Sequence, residues 1–209
     1  MTTRHEFLAR LHHLAAPRLY METGVHTGES LRLSSCKSIG IDPEPQVHMD
    51  GVHAQTSDAF FAAQDLVKPG DLDFGFIDGM HLMEFALRDF MNMEKLASPR
   101  GFIVFDDVMP YNNDIARRTQ PPGDWTGDVW KVWFILNQVR PDLDMRLVDT
   151  FPTGTLMVWN LDPSSDALVQ EYHNIINSWT EEMEVPSSIL FRTEAVTAES
   201  AVETLRVWV

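Results

Sequence analysis

Phe76-Ile77-Asp78-Gly79-Met80-His81 is an apolar run that ends in a carboxylate, a glycine and, three residues after the carboxylate, an imidazole. Pro69-Gly70 turns the chain ahead of it, so Leu72 to Ile77 reads as a buried strand. A second apolar run, Gly101-Phe102-Ile103-Val104-Phe105, ends in Asp106-Asp107. In an open parallel sheet, ligands bind in the crevice outside the carboxyl ends of the strands. Three carboxylates converging there repel one another unless a cation holds them. Oxygen ligands without thiols select a hard divalent ion, so Mg2+, or else Mn2+, is the metal expected at Asp78, Asp106 and Asp107. Read separately, Asp78 could instead cap the next helix, and Asp106-Asp107 could be a turn.

Toward the amino terminus, Leu19-Tyr20-Met21-Glu22-Thr23-Gly24-Val25-His26-Thr27-Gly28-Glu29-Ser30 reads as a strand, a glycine-bearing turn and a helix start. Gly24 and Gly28 allow a tight turn and close approach of the backbone to a ligand, and a helix amino end favours a carboxylate. The next apolar stretch, Ser38-Ile39-Gly40-Ile41, ends in Asp42. An acidic side chain at that point can accept hydrogen bonds from both ribose hydroxyls of an adenosine cofactor.

These two clusters resemble class I S-adenosylmethionine-dependent methyltransferases, especially the metal-dependent O-methyltransferases. Within these, they resemble the branch of macrolide-sugar O-methyltransferases, cephalosporin-hydroxylase-like proteins and mycobacterial methylmannose polysaccharide methyltransferases. Glu22 to Ser30 is similar to that branch's cofactor loop, Asp78-Gly79-Met80-His81 to its Asp-Gly-x-His signature, and Phe105-Asp106-Asp107 to its second metal-binding strand end. The likeness covers roughly Leu19 to Val108 and continues more weakly to about Leu161. It implies a Rossmann-like, doubly wound seven-stranded α/β sheet with its last strand antiparallel, and a homo-oligomer.

The composition agrees with such a domain. The 209 residues, 44% hydrophobic and 22% charged, suit one domain spanning 1–209 with a full core. There is no apolar run of the length needed to cross a bilayer, and the amino terminus lacks a secretory pattern. A single cysteine, Cys36, precludes an internal disulfide and fits a cytoplasmic setting. The net charge of -15 repels nucleic acid and anionic membranes, leaving a small molecule or oligosaccharide as the expected partner.

Along the chain, Thr3-Arg4-His5-Glu6 resembles a capping box that opens a helix ended by Pro17. His12-His13 on that helix reads as a solvated face. Leu82, Ala86, Phe90, Met93 and Ala97 recur at helical spacing, and Pro99-Arg100-Gly101 turns the chain into the fifth strand. Residues 108–127, rich in Pro, Asn, Asp and Gly, form a lid-like loop in which Tyr111, Asn112, Asn113 and Trp125 could meet a sugar ring. Asp128 can cap the helix after it. Met145 to Phe151 and Thr155 to Leu161 read as a closing β-hairpin, and 184–209 as a carboxy-terminal tail ending in Val207-Trp208-Val209.

The chemistry implied by the resemblance is methyl transfer to a sugar hydroxyl, most specifically a mannoside of methylmannose polysaccharide. A metal at Asp78, Asp106 and Asp107 would hold the hydroxyl oxygen and lower its pKa, and His81 would be general base. Glu22, Gly24, Gly28, Ser30 and Asp42 would hold the cofactor, with Ser57 and Asp58 flanking the adenine. Other readings are methylation of catechols or natural products, an NAD-dependent oxidoreductase using the same turn, and a non-catalytic binding protein. The oxidoreductase leaves Asp78, Asp106 and Asp107 unexplained. The intact set of Asp78, His81, Asp106 and Asp107 speaks against the binding protein.

Overall fold

A computed structural model describes residues 1–208; Val209, the last residue of the predicted tail, lies outside the described residues. Seven strands form one sheet: β1 Leu19–Thr23, β2 Lys37–Asp42, β3 Val52–Ala54, β4 Leu72–Ile77, β5 Ala97–Phe105, β6 Asp144–Val148 and β7 Thr155–Trp159. Their spatial order is β3-β2-β1-β4-β5-β7-β6. The first five pair in parallel, and β7 runs antiparallel to both β5 and β6. The Rossmann-like α/β sheet with a late antiparallel hairpin is therefore present.

Side-chain alternation on the strands builds two cores. Met21, Ile103, Phe105 and Leu156 face one side, packed by α2 Ser57–Ala63, α3 Met83–Glu94, α4 Lys131–Val139, α5 Ala167–Trp179 and α6 Ser187–Leu190. Tyr20, Phe102, Val104 and Met157 face the other, packed by α1 Arg4–Ala15 and α7 Ala198–Trp208. Adjacent residues go to opposite faces because successive side chains of a strand do. Phe7, Leu8 and Leu11 of α1 are fully buried. At about 1.5–3 kcal/mol for each such side chain, they fix α1 against the sheet.

Four local expectations are corrected. No α-helix follows the glycine turn; only a 3-10 turn at Leu31–Leu33 forms, and the Ser30 side chain, which would cap a helix, instead bonds Glu22. Ala97 belongs to β5, not to the preceding helix. His12 is not solvated: it is buried against the rings of Tyr20 and Phe74, neither nitrogen has a hydrogen-bond partner among the described residues, and burial lowers its pKa to about 4. Asp128 does not cap its own helix with its side chain. It accepts the backbone N–H of Met83 at 2.8 Å and so caps α3, whose N-cap residue Leu82 has no side chain able to do so.

The tail docks on its own domain. Ala198, Ala201 and Leu205 of α7 are buried, and Arg10 of α1 pairs with Glu199 at 2.6 Å. Among the described residues, no helix is long and apolar enough to cross a membrane.

Candidate active site

β1, β4 and β5 end level with one another: Thr23 lies beside Ile77, and Ile77 beside Phe105. The backbone continues the pairing past the strands, with Asp78 N donating to Thr23 O at 2.9 Å and Asp106 N to Ile77 O at 3.0 Å. Gly24 sits at φ +85°, where a Cβ would lie 1.8 Å from the carbonyl oxygen of Asp78. Only glycine lets the loop after β1 pass this close to the end of β4.

Asp78, His81 and Asp107 converge there, each offering one ligand atom within 4.8 Å of the others. His81 Nε2 is 3.2 Å from Asp107 Oδ2 and 3.5 Å from Asp78 Oδ1. His81 Nδ1 lies 2.6 Å from the carbonyl oxygen of Trp125. A carbonyl can only accept, so Nδ1 carries a proton and Nε2 faces the carboxylates. Burial works to lower the His81 pKa, but the hydrogen bond to Asp78 and the charges of Asp107 and Asp78 outweigh it and raise it to about 9. Burial raises the Asp107 carboxyl to about 6, with His81 opposing and Asp78 reinforcing the shift.

Asp106 and Asp107 are neighbours in sequence but turn to different partners. Asp107 has a left-handed backbone, φ +61°, which aspartate tolerates better than most residues. Its side chain joins His81. Asp106, 2% exposed, instead accepts a hydrogen bond from Arg4 Nη1, and its other oxygen is buried without a partner among the described residues. Arg4 Nη1 is also 3.5 Å from Asp78 Oδ2. Burial raises the Asp106 pKa well above its ordinary value, and Asp107 and Asp78 add to it while Arg4 opposes. The two converging carboxylates of Asp78 and Asp107, with the His81 imidazole beside them, suit a hard divalent cation.

The loop over this centre is ordered by its own contacts. Arg118 pairs with Glu84 and with Asp128, each at 2.5 Å. Asn112 accepts from Ile115 N and Asn113 from Val185 N, so these two amides brace the loop. Tyr111 donates to Asp124, and Trp125 Nε1 donates to Arg117 O. The Trp125 ring lies 5.2 Å from that of His81. A cavity of about 420 Å³ opens beside His81 and Asp107, lined also by Arg4, His5, Trp125 and Phe151. Sequence reasoning missed Arg4, His5 and Phe151. Arg4 stands 102 residues from Asp106, and no local pattern announces that pairing.

The expected cofactor residues lie around the ends of β1, β2 and β3. Gly24 N donates to Ile41 O, joining the two loops. Both Asp42 oxygens are engaged, from His26 N and Glu44 N at 2.8 Å each, which leaves further lone pairs for hydroxyl donors. Glu22 is fully buried, accepting from Tyr20 Oη at 2.7 Å and Ser30 Oγ at 2.6 Å. Burial pushes its pKa up to about 8 against those two hydrogen bonds. Gly28 N donates to Val25 O and closes the turn. Ser57 and Asp58 lie in the first turn of α2, past the end of β3. Ser57 bonds the buried Asp89, and Asp58 makes a two-pronged pair with Arg88.

Residues 21–108 match the family model of a methyltransferase domain, the stretch that holds Glu22, Gly24, Asp42, Asp78, His81, Asp106 and Asp107. Solved structures share the fold around it. An SAH-bound methyltransferase of Podospora anserina superposes with a TM-score of 0.55 at 15% identity, over 78% of this chain and 80% of that one. The O-methyltransferase from Bacillus cereus in complex with SAH gives 0.56 at 17% identity, over 74% and 79%. The O-methyltransferase TomG from Streptomyces achromogenes, involved in tomaymycin synthesis and solved with SAM, gives 0.58 at 17% identity, over 76% and 80%. No curated protein sequence matches the chain. Residues 21–108 thus resemble a methyltransferase domain, and the chain around them has the fold of these solved structures.

Proposed function

We propose that this protein transfers a methyl group from S-adenosylmethionine to a hydroxyl of a sugar, with a mannoside of methylmannose polysaccharide as the most specific candidate. The convergence of Asp78 with His81 and Asp107, the latter two lining the 420 Å³ cavity, carries this reading. A neutral alcohol is a poor nucleophile, so the site must remove its proton as the methyl group arrives. The Trp125 carbonyl holds the His81 Nδ1 proton, so Nε2 is the atom that receives the proton of the acceptor hydroxyl. Asp78 and Asp107 lie beside Nε2 and fix its position at the reacting centre. A divalent cation held by the two carboxylates would supply Lewis acidity toward the acceptor oxygen and cancel the charge that otherwise keeps His81 protonated.

The cavity has the mixed lining a sugar requires. Trp125 and Phe151 offer aromatic faces, while His5, Asp124 and Thr153 offer hydrogen-bonding groups. On the cofactor side, Asp42 would accept the ribose hydroxyls, which its position at the end of β2, bonded to the backbone of His26, supports. The test is incubation with methyl-labelled S-adenosylmethionine, Mg2+ and matched panels of mannosides, rhamnosides and catechols. Label on a glycoside supports the proposal; label on catechols alone overturns the sugar assignment. Calorimetric binding of NAD in place of S-adenosylmethionine would overturn the cofactor.

A further inference from the structure

We infer that Arg4 is a fixed counter-cation of the acidic centre, which takes Asp106 out of the ligand set and leaves the divalent ion to Asp78 and Asp107 within reach of His81. The inference rests on the proposed metal site and adds a positioning residue from outside the matched domain.

The position of Arg4 is built. It is the first residue of α1, behind a capping box in which Thr3 and Glu6 satisfy each other's backbone N–H groups. Its own backbone N–H donates to Phe151 O at 3.1 Å, and Phe151 N donates to Thr2 O at 2.9 Å. The guanidinium is thus held from two sides, by the buried helix α1 and by the loop between β6 and β7. It donates to Asp106 Oδ2 and stands 3.5 Å from Asp78 Oδ2. The Asp106 carboxylate, in a residue 2% exposed, has no other hydrogen-bonding partner among the described residues. A buried carboxylate without a counter-charge is strongly unfavourable, which makes this pair far more than a surface contact.

The charges support the same division of labour. Fully ionised, Asp78, Asp106 and Asp107 would carry three negative charges; Arg4 offsets one, and a divalent ion would balance the remaining two. The donor atoms that meet within 4.8 Å belong to Asp78, His81 and Asp107, without Asp106.

A double-mutant cycle tests this on the full chain, with Mn2+ binding followed by electron paramagnetic resonance. Arg4→Gln is expected to tighten Mn2+ binding about 10-fold or more and Asp106→Asn to weaken it by a similar factor, each through the charge it removes. The double variant, with wild-type net charge, is expected to bind within about 3-fold of wild type. A double variant as weak as Asp106→Asn alone would make Asp106 a ligand and overturn the inference. Metal-free melting temperature supplies the second readout, lowered in Arg4→Gln and restored in the double variant. Should Arg4→Gln fail to fold, a folded double variant that binds Mn2+ like wild type supports the pairing, and one that does not overturns it. No Mn2+ binding by the wild type overturns the metal reading itself. The melting cycle then still decides whether Arg4 is the counter-ion of Asp106.

Discussion

The carbonyl oxygen of Trp125 receives the Nδ1 proton of His81 at 2.6 Å, so the loop over the site fixes the tautomer of the imidazole. The same loop approaches again two residues later. Gly127, at φ +53°, lies where a Cβ would be 1.5 Å from the carbonyl oxygen of His81. The loop and the strand-end histidine are one mechanical unit, locked further by Asp128, which caps α3.

Gly127→Ala should therefore separate the loop from His81. Added strain at a left-handed position costs about 1–3 kcal/mol of stability. A shift of the imidazole by about 1 Å is expected to lower kcat about 100-fold at temperatures well below melting. Thermal melting and methyl-transfer rates measured together check this; wild-type kcat in a destabilised variant would show that the contact does not position His81.

Glu22 gives a pH dependence with a definite sign. Its pKa is pushed up to about 8 from 4.5, chiefly by burial. A raised acid contributes stability that is complete below its ordinary pKa and is lost as pH rises through the folded value. Through this group the melting temperature should fall as pH rises from about 4.5 to about 8 and level off above it, and Glu22→Gln should flatten that fall. His81, raised to about 9, loses its contribution over part of the same window, so the difference between wild type and variant isolates Glu22. His12, lowered to about 4, acts in the opposite sense and contributes fully above 6.5. An identical slope in Glu22→Gln would refute the assignment.

Asp42→Ala is expected to weaken S-adenosylmethionine binding by about 1–3 kcal/mol, the loss of hydrogen bonds to a charged acceptor. The fold should survive, because the two backbone donors that Asp42 satisfies are exposed to water. Isothermal titration of the folded variant decides the matter; unchanged affinity removes Asp42 from the cofactor site.

The strands and the carboxylates at their ends were legible because both signals are local. Buried parallel strands are short apolar runs, and Pro69-Gly70 and Pro43 punctuate them, so the ends at Asp42, Asp78 and Asp106 fell where the residues suggest. What stayed hidden depends on distant partners. Ser30 looked like a helix start but is drawn inward by Glu22. Asp128 looked like the cap of the next helix but serves α3, 45 residues upstream. His12 beside His13 suggested a polar face, yet the sheet beneath is aromatic at Tyr20 and Phe74. Arg4 carries no local sign of its role, since its partner Asp106 meets it only once α1 has packed on the sheet.

The central claim is that Asp78, His81 and Asp107 together activate a hydroxyl for methyl transfer. Its most direct measurement is transfer of labelled methyl to the best glycoside, comparing wild type with and without chelator against His81→Ala and Asp107→Asn. The expected result is full loss on chelation, recovery with Mg2+ or Mn2+, and rates reduced about 100-fold or more in both variants, without recovery by metal. Wild-type turnover in the chelated enzyme, or in folded His81→Ala, would contradict the account.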